Sequence, residues 1–189
     1  MTAFVHPQAL VETDQIGDES RVWAFAHIMA GAVVGAGCNI GDHAFIESGA
    51  VVGNRVTIKN AVLIWDGVTL EDEVFVGPNA VFTNVPAPRV AFKPERSDFV
   101  PTLVKTGASI GANTTVVCGV TIGRYAMIGA GAVVNTDVLD HALLVGNPAR
   151  QIGWACTCGA TIPESLLCDA CGRRFERLTY GLAEVDAAS

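Results

Sequence analysis

The chain reads as all-β: a parallel β-solenoid of hexapeptide repeats, with one protruding loop and a small cysteine module near the C-terminus. Three observations lead there. Aliphatic residues fall at Leu10, Ile16, Val22, Ile28, Val34, Ile40, Ile46, Val52, Ile58, Ile64, Leu70 and Val76, and Phe82 closes the series. The residue two before most of them is small or β-branched, as at Ala26, Ala32, Cys38, Ala44, Ala50, Val56, Val62, Val68, Val74 and Ala80. Glycine often follows, at Gly17, Gly35, Gly41, Gly53 and Gly77. A helix needs a period near 3.6 and a lone strand a period of 2. A strict six over this length marks stacked short turns.

Each hexad supplies one short strand and one corner. Three hexads close a triangular coil of 18 residues, and coils stack by parallel pairing about 4.8 Å apart. The aliphatic residue points inward. Asn39, Asn54, Asn60 and Asn79, with glycine, are expected where corners require a left-handed backbone. Residues 1–154 form this domain, with Met1 to Gln8 as a lead-in that His6-Pro7 makes extended.

Residues 84–103 break the period. They carry Pro86, Pro88, Pro94 and Pro101 among Arg89, Lys93, Glu95, Arg96 and Asp98. They read as a loop thrown out from a corner, where such scaffolds carry function. Hexads resume at Val104, Ile110, Val116, Ile122, Ile128 and Val134. The 22 positions from Phe82 to Val104 are not a multiple of six, so the loop is expected to return out of phase. Gly146-Asn147-Pro148 turns the winding to its end at Trp154. Residues 155–180 form the cysteine module, and residues 181–189 are expected as a disordered tail.

Hydrophobic residues make up 50% of the chain and charged residues 16%, enough for a filled core. A net charge of −7 argues against nucleic acid as a partner. No apolar run approaches the ~18 residues of a membrane span, and no basic-then-apolar leader opens the chain. The expected compartment is the cytoplasm. There, Cys156, Cys158, Cys168 and Cys171 read as metal ligands before disulfides. Four thiolates within 16 residues suit a closed tetrahedral structural Zn²⁺. Cys38 reads as a small core residue.

The period also places residues beside one another, because positions 18 apart stack. Ser48, Asp66 and Asn84 form one column; Glu47, Trp65 and Thr83 form the next. A carboxylate, a carboxamide and an indole thus meet at the root of the loop, a candidate pocket wall. On spacing alone, Asn84 equally suits a corner and Asp66-Gly67 an ordinary turn.

Longer motifs narrow the reading. They are Gly77-Pro78-Asn79, Phe82-Thr83-Asn84, Pro88-Arg89, Lys105 to Asn113 (KTGASIGAN), Cys118 to Tyr125 (CGVTIGRY) and Val145 to Trp154 (VGNPARQIGW). Over about residues 5–155 the chain resembles the hexapeptide-repeat N-acetyltransferases that act on nucleotide-linked 3-amino sugars. The resemblance implies a left-handed parallel β-helix, a homotrimer with active sites between subunits, acetyl-CoA as co-substrate and a place in O-antigen or other surface-polysaccharide synthesis. It implies that Asn84 holds the sugar amine; its stacked neighbours Trp65 and Thr83 are expected to line the substrate site, and Arg89 or Lys93 to face the nucleotide diphosphate or a sugar carboxylate. It also implies that backbone at Ala112 and Ala130 bonds the pantetheine of CoA, and that Arg150 meets a CoA phosphate.

Two sugar classes fit. Ile64-Trp65-Asp66-Gly67 resembles enzymes for dTDP-3-amino-deoxyhexoses. The stretch from Val117 to the cysteines resembles enzymes for UDP-3-amino-2-acetamido uronates, the reading retained here. The loop has no histidine, and His27 and His43 lie in early coils as surface or trimer contacts. A mechanism without a side-chain base is therefore expected, with Asp66 as proton acceptor the alternative. The other class is a scaffold or metal-binding solenoid without transfer activity. His27 and His43 stand 16 apart, not 18, so they form no stacked pair for a metal.

Overall fold

The computed structural model describes residues 2–185. Strands of mostly two residues build a left-handed parallel β-helix with three sheets of ten, seven and five strands. The first face runs from Phe4–Val5 through Arg21–Val22, Asn39–Ile40, Thr57–Ile58 and Phe75–Val76 to Ser109–Ile110 and Met127–Ile128. The second carries His27–Ile28, Phe45–Ile46, Leu63–Ile64, Val81–Phe82, Thr115–Val116 and Val133–Val134. The third carries Val33–Val34, Val51–Val52, Val68–Leu70, Thr102–Val104 and Thr121–Ile122. The 18-residue register holds on all three, as in Thr57↔Phe75, Phe45↔Leu63 and Val33↔Val51.

From Val22 onward the hexad aliphatic of each strand faces inward. Ile28, Ile40, Ile46, Ile58, Ile64, Leu70 and Ile110 are fully enclosed, each worth about 1.5–3 kcal/mol of apolar burial. The third residue after most of the aliphatics turns the corner in the left-handed region: Gly31, Gly37, His43, Gly49, Arg55, Ala61, Gly67, Glu73 and Asn79, and beyond the insertion Gly107, Asn113, Gly119, Tyr125 and Gly131. Of the four asparagines expected there, Asn79 alone occupies such a position. Asn39 accepts a bond from Trp23 Nε1, and Asn54 joins a ladder in which its Oδ1 accepts from Ala36 N while its own N–H donates to Asp72 Oδ1. The glycines that follow the aliphatics serve close approach instead. A Cβ on Gly53 would lie 2.6 Å from Asp72 Oδ1 of the next coil.

The inward series begins at Val11, not Leu10. Leu10 is 53% exposed, while Val11 pairs with Ile28 and packs against the core. The first coil is one residue short, and both positions are aliphatic, so the hexad count ran smoothly over the slip.

The insertion returns in register. Val68–Leu70 pairs with Thr102–Val104 and Val81–Phe82 with Thr115–Val116, offsets of 34 rather than 18. The loop thus adds 16 residues and re-enters on the next face. The expected phase slip exists in sequence number and not in space. Val100 N donates to Asn84 O (2.9 Å) and Thr102 N to Gly67 O (3.1 Å), which fastens the re-entry. Beyond that anchor, Val90 and Phe92 stand exposed at the tip.

Re-entry leaves one defect. Thr102 takes the ladder place opposite Val68, and its hydroxyl is buried without a hydrogen-bond partner. Valine has the same shape and no polar atom, so Thr102→Val should stabilise the fold by about 1 kcal/mol. That is a melting temperature higher by roughly 2–4 °C, read by calorimetry.

At the C-terminal end, Ala142–Val145 joins the first face, the chain reverses, and Arg150–Ala155 returns antiparallel, followed by Thr161–Ile162. A second, small core contains Cys156, Ile162, Cys168, Phe175 and Leu182, and Trp154 packs on both cores. The expected tail does not begin at Gly181. Gly181–Val185 forms a hairpin with Arg174–Leu178 because Phe175 and Leu182 both enter that small core. The rest of the expected tail, residues 186–189, lies outside the described residues.

Candidate active site

The corner after Leu63–Ile64 is built from Trp65, Asp66 and Gly67. Gly67 makes the left-handed turn at φ +86°. Trp65 lies over Phe45, ring centroids 5.6 Å apart, and its indole N–H donates to Phe82 O at 2.9 Å. The indole therefore braces the strand that leads into the insertion. Asp66 N donates to Glu47 Oε2 (2.8 Å) one coil below, which fixes the backbone of the carboxylate. The carboxylate itself accepts from Arg96 Nε in a very short ion pair, and Arg96 Nη2 donates to Ser48 O at 3.4 Å.

One coil above Asp66 the chain leaves the prism. Thr83 Oγ1 accepts from Cys118 N (2.9 Å), pinning the following coil. Asn84 is half-buried. Its carbonyl anchors the loop's return, and its side-chain carboxamide has no hydrogen-bond partner among the described residues.

The structure therefore gathers Trp65, Asp66, Thr83 and Asn84 at one corner and adds Arg96, which sequence reasoning missed. Arg96 lies 30 residues from Asp66 within a stretch that has no period, so no spacing rule connected them. Arg89 is exposed on the loop, with its Nη1 on Pro88 O (3.0 Å), and is not brought to this corner within one protomer.

Ala112 and Ala130 stack at the corner on the opposite edge of the second face. On the edge between the third and first faces, several corresponding corner amides are capped by side chains: Ala36 N by Asn54, Asn54 N by Asp72, Arg124 N by Asp140. Alanine offers no such group, and among the described residues the N–H groups of Ala112 and Ala130 have no acceptor. They are open donors, as are the N–H groups of Asp42 and Asn60 earlier on the same edge. Arg150 is exposed and bonds Ala149 O at 2.9 Å.

A concavity of about 650 Å³ lies near the first coils, lined in part by Phe4, Arg21, Asn39 and Arg55. Another of about 280 Å³ lies between Tyr125, His141 and the cysteine module. Neither includes Asp66 or Asn84; at the insertion root the Asp66 side chain is 15% exposed under Arg96, and Asn84 is half-buried.

The four cysteines of the module converge. Their sulfurs all lie within 4.8 Å of one another, with Cys156–Cys171 at 3.5 Å and Cys158–Cys168 at 3.7 Å. Tetrahedral sulfurs about 2.3 Å from one ion stand roughly 3.8 Å apart, so the set fits a four-coordinate metal. Each half is a tight turn in which Gly159 N donates to Cys156 O and Gly172 N to Cys168 O, both at 2.8 Å. The backbone N–H of Arg173, with its side chain, lowers the Cys171 thiol to about 6, whereas burial raises Cys156 to about 12.

The bacterial transferase hexapeptide (six repeats) family matches residues 15–48 and 101–136. The dTDP-3-amino-3,6-dideoxy-α-D-galactopyranose 3-N-acetyltransferase of Aneurinibacillus thermoaerophilus is 52% identical over 178 residues, covering 93% of this chain and 91% of that protein. The bifunctional protein GlmU of Thermosynechococcus vestitus is 30% identical over 144 residues; the match covers 76% of this chain and 29% of GlmU. A solved variant of GDP-perosamine N-acetyltransferase from Caulobacter crescentus, in complex with CoA and GDP-perosamine, is 23% identical. That alignment covers 80% of this chain and 54% of the other, with a TM-score of 0.44. With half its residues identical along nearly the full length of the Aneurinibacillus protein, this chain is an acetyltransferase of the hexapeptide-repeat, nucleotide-sugar 3-N-acetyltransferase family.

Proposed function

We propose that the protein transfers the acetyl group of acetyl-CoA to the 3-amino group of a dTDP-linked 3-amino-3,6-dideoxyhexose. It acts in the cytoplasm, in a homotrimer, for surface-polysaccharide synthesis. The observation that carries this reading is the free Asn84 carboxamide beside Asp66 at the root of the insertion. The expected UDP-linked uronate is not supported as the substrate. The relative at 52% identity is named for a dTDP-linked sugar, and Ile64-Trp65-Asp66-Gly67 already favoured that class.

The reaction needs alignment more than acid–base power. The neutral amine's lone pair attacks the thioester carbonyl carbon, the tetrahedral oxyanion collapses, the C–S bond breaks and CoA leaves as thiolate. The amine's proton ends on that thiolate. Asn84 Oδ1 accepts an N–H of the attacking amine, which orients its lone pair away from the carboxamide and toward the thioester. Asp66 is already engaged by the Arg96 guanidinium, which supports a positioning part for it over a proton-accepting one. Trp65 and Thr83 wall the sugar site, and Arg89 meets its diphosphate. The open amides of Ala112 and Ala130 suit the pantetheine carbonyls, and Arg150 suits a CoA phosphate.

Assembly completes the corner. Of the outward residues of the second face, Leu10, Phe45, Leu63, Val81 and Val133 are apolar, with His27 and Thr115 set among them, between the Asn84 and Ala112 edges. With the exposed Val90 and Phe92 of the loop tip, they support a trimer in which each loop covers a neighbour. In the cysteine cluster we assign one structural Zn²⁺, remote from the chemistry. Among the described residues no helix is long and apolar enough to cross a membrane.

The test is thiol release from acetyl-CoA with dTDP-3-amino-3,6-dideoxygalactose and with a UDP-3-amino uronate. Specificity for the dTDP sugar should exceed that for the uronate about 100-fold or more in kcat/KM. Equal or reversed values overturn the sugar assignment, and no release with either overturns the activity.

A further inference from the structure

We infer that the cysteine module is a metal-dependent cap on the C-terminal end of the solenoid, and that the ion holds the last coil in place through Cys156. The inference rests on the zinc assignment above. A parallel solenoid ends in an open coil whose edge and core meet solvent unless something covers them. Here the cover is too small to hold itself. Its core has five buried side chains, and two of them, Cys156 and Cys168, belong to the sulfur cluster. A unit of about thirty residues with so little apolar burial needs a staple, and a four-thiolate ion supplies one.

The module meets the solenoid at two consecutive buried residues, Asp140 and His141. Asp140 Oδ1 accepts from Arg124 N (2.8 Å) within the last coil. Its backbone turns the other way: Asp140 N donates to Tyr180 O (2.9 Å), and Leu182 N donates to Asp140 O (3.2 Å). Gly181 lies between those two contacts at φ +133°, and any Cβ there would strike the Asp140 backbone. The hairpin is thus seated on the solenoid where only glycine fits.

His141 is the joint between the two cores. Its ring stacks on Tyr125 of the solenoid (5.2 Å) and meets the edge of Phe175 of the module (5.0 Å). Its Nδ1 bonds Ala155 O at 2.8 Å, and Ala155 N donates to His141 O at 2.7 Å. Ala155 immediately precedes Cys156. A metal ligand therefore stands one residue from the joint, and releasing that ligand frees the segment that clasps His141 on both sides.

The test uses full-length protein, as purified and after stripping with a strong chelator, read by elemental analysis and by hydrogen–deuterium exchange. One zinc per chain is expected before stripping. Stripping should accelerate exchange at least about tenfold over residues 139–155 and 174–185 and leave residues 45–82 unchanged. Gly181→Ala should keep its zinc and accelerate exchange at residues 139–141 and 174–185, where the hairpin is seated, while residues 142–155 stay protected by the ligated Cys156. Absence of metal in protein never exposed to chelator overturns the zinc assignment and the cap together. Zinc present, with residues 139–155 equally protected after its removal, overturns the cap and leaves the zinc assignment standing. A zinc-loaded Gly181→Ala protein with unaltered exchange also overturns the cap.

Discussion

Asn84→Ala should lower kcat about 10- to 1000-fold, the loss expected if the carboxamide contributes roughly 1.4–4 kcal/mol to the transition state. A carboxamide is no base near neutral pH, so the loss is one of alignment. KM for acetyl-CoA should barely move, because the open amides of Ala112 and Ala130 lie on the other edge of the second face. The melting temperature should also hold, since the Asn84 side chain bonds nothing among the described residues and its loop anchor is a backbone carbonyl. Asp66→Asn sharpens the result. If Asp66 only positions, the variant keeps much of its rate and its acid limb, because that limb then belongs to the substrate's ammonium group. If Asp66 removes the proton, rate and limb are lost together. Full activity in Asn84→Ala would move the active site elsewhere.

Gly111→Ala should be the costliest conservative change on the CoA edge. A Cβ there would lie 2.5 Å from Ala130 N and 2.8 Å from Ala130 Cα. Those are backbone atoms of the next coil, so no side chain can swing aside, and the coils must part. We expect a loss of about 3 kcal/mol, or a melting temperature lower by roughly 6–12 °C. The same displacement shifts Ala112 against Ala130, so KM for acetyl-CoA should rise severalfold while that for the sugar stays near its original value. Differential scanning calorimetry and steady-state kinetics on one preparation read both effects.

The inward face of the prism was legible because each core position is an aliphatic at a fixed interval, and burial is the strongest constraint on this chain. Corners were less so. Phe25, His43, Arg55, Glu73 and Tyr125 hold left-handed backbone that their own propensities disfavour. Stacking between coils supports them: Phe25 lies on His43 at 5.0 Å, Arg55 bonds Glu73 at 2.9 Å, and Tyr125 lies on His141. Such columns exist only once the coils are wound, so local chemistry does not announce them. The corner of Asp66 and Asn84 followed from the 18-residue register, whereas Arg96 reaches it from a loop without period. The four cysteines were legible as a cluster. Their seat on Asp140 and His141 was not, because it depends on a glycine contact between two units with separate cores.

The most direct measurement is a crystal structure with CoA and the dTDP-linked 3-amino sugar both bound. The sugar's 3-amino nitrogen is expected within hydrogen-bond reach of Asn84 Oδ1, about 2.6–3.2 Å, with a neighbouring subunit closing the corner. A sugar seated instead in the concavity beside Arg21, Asn39 and Arg55, far from the insertion root, would contradict this placement.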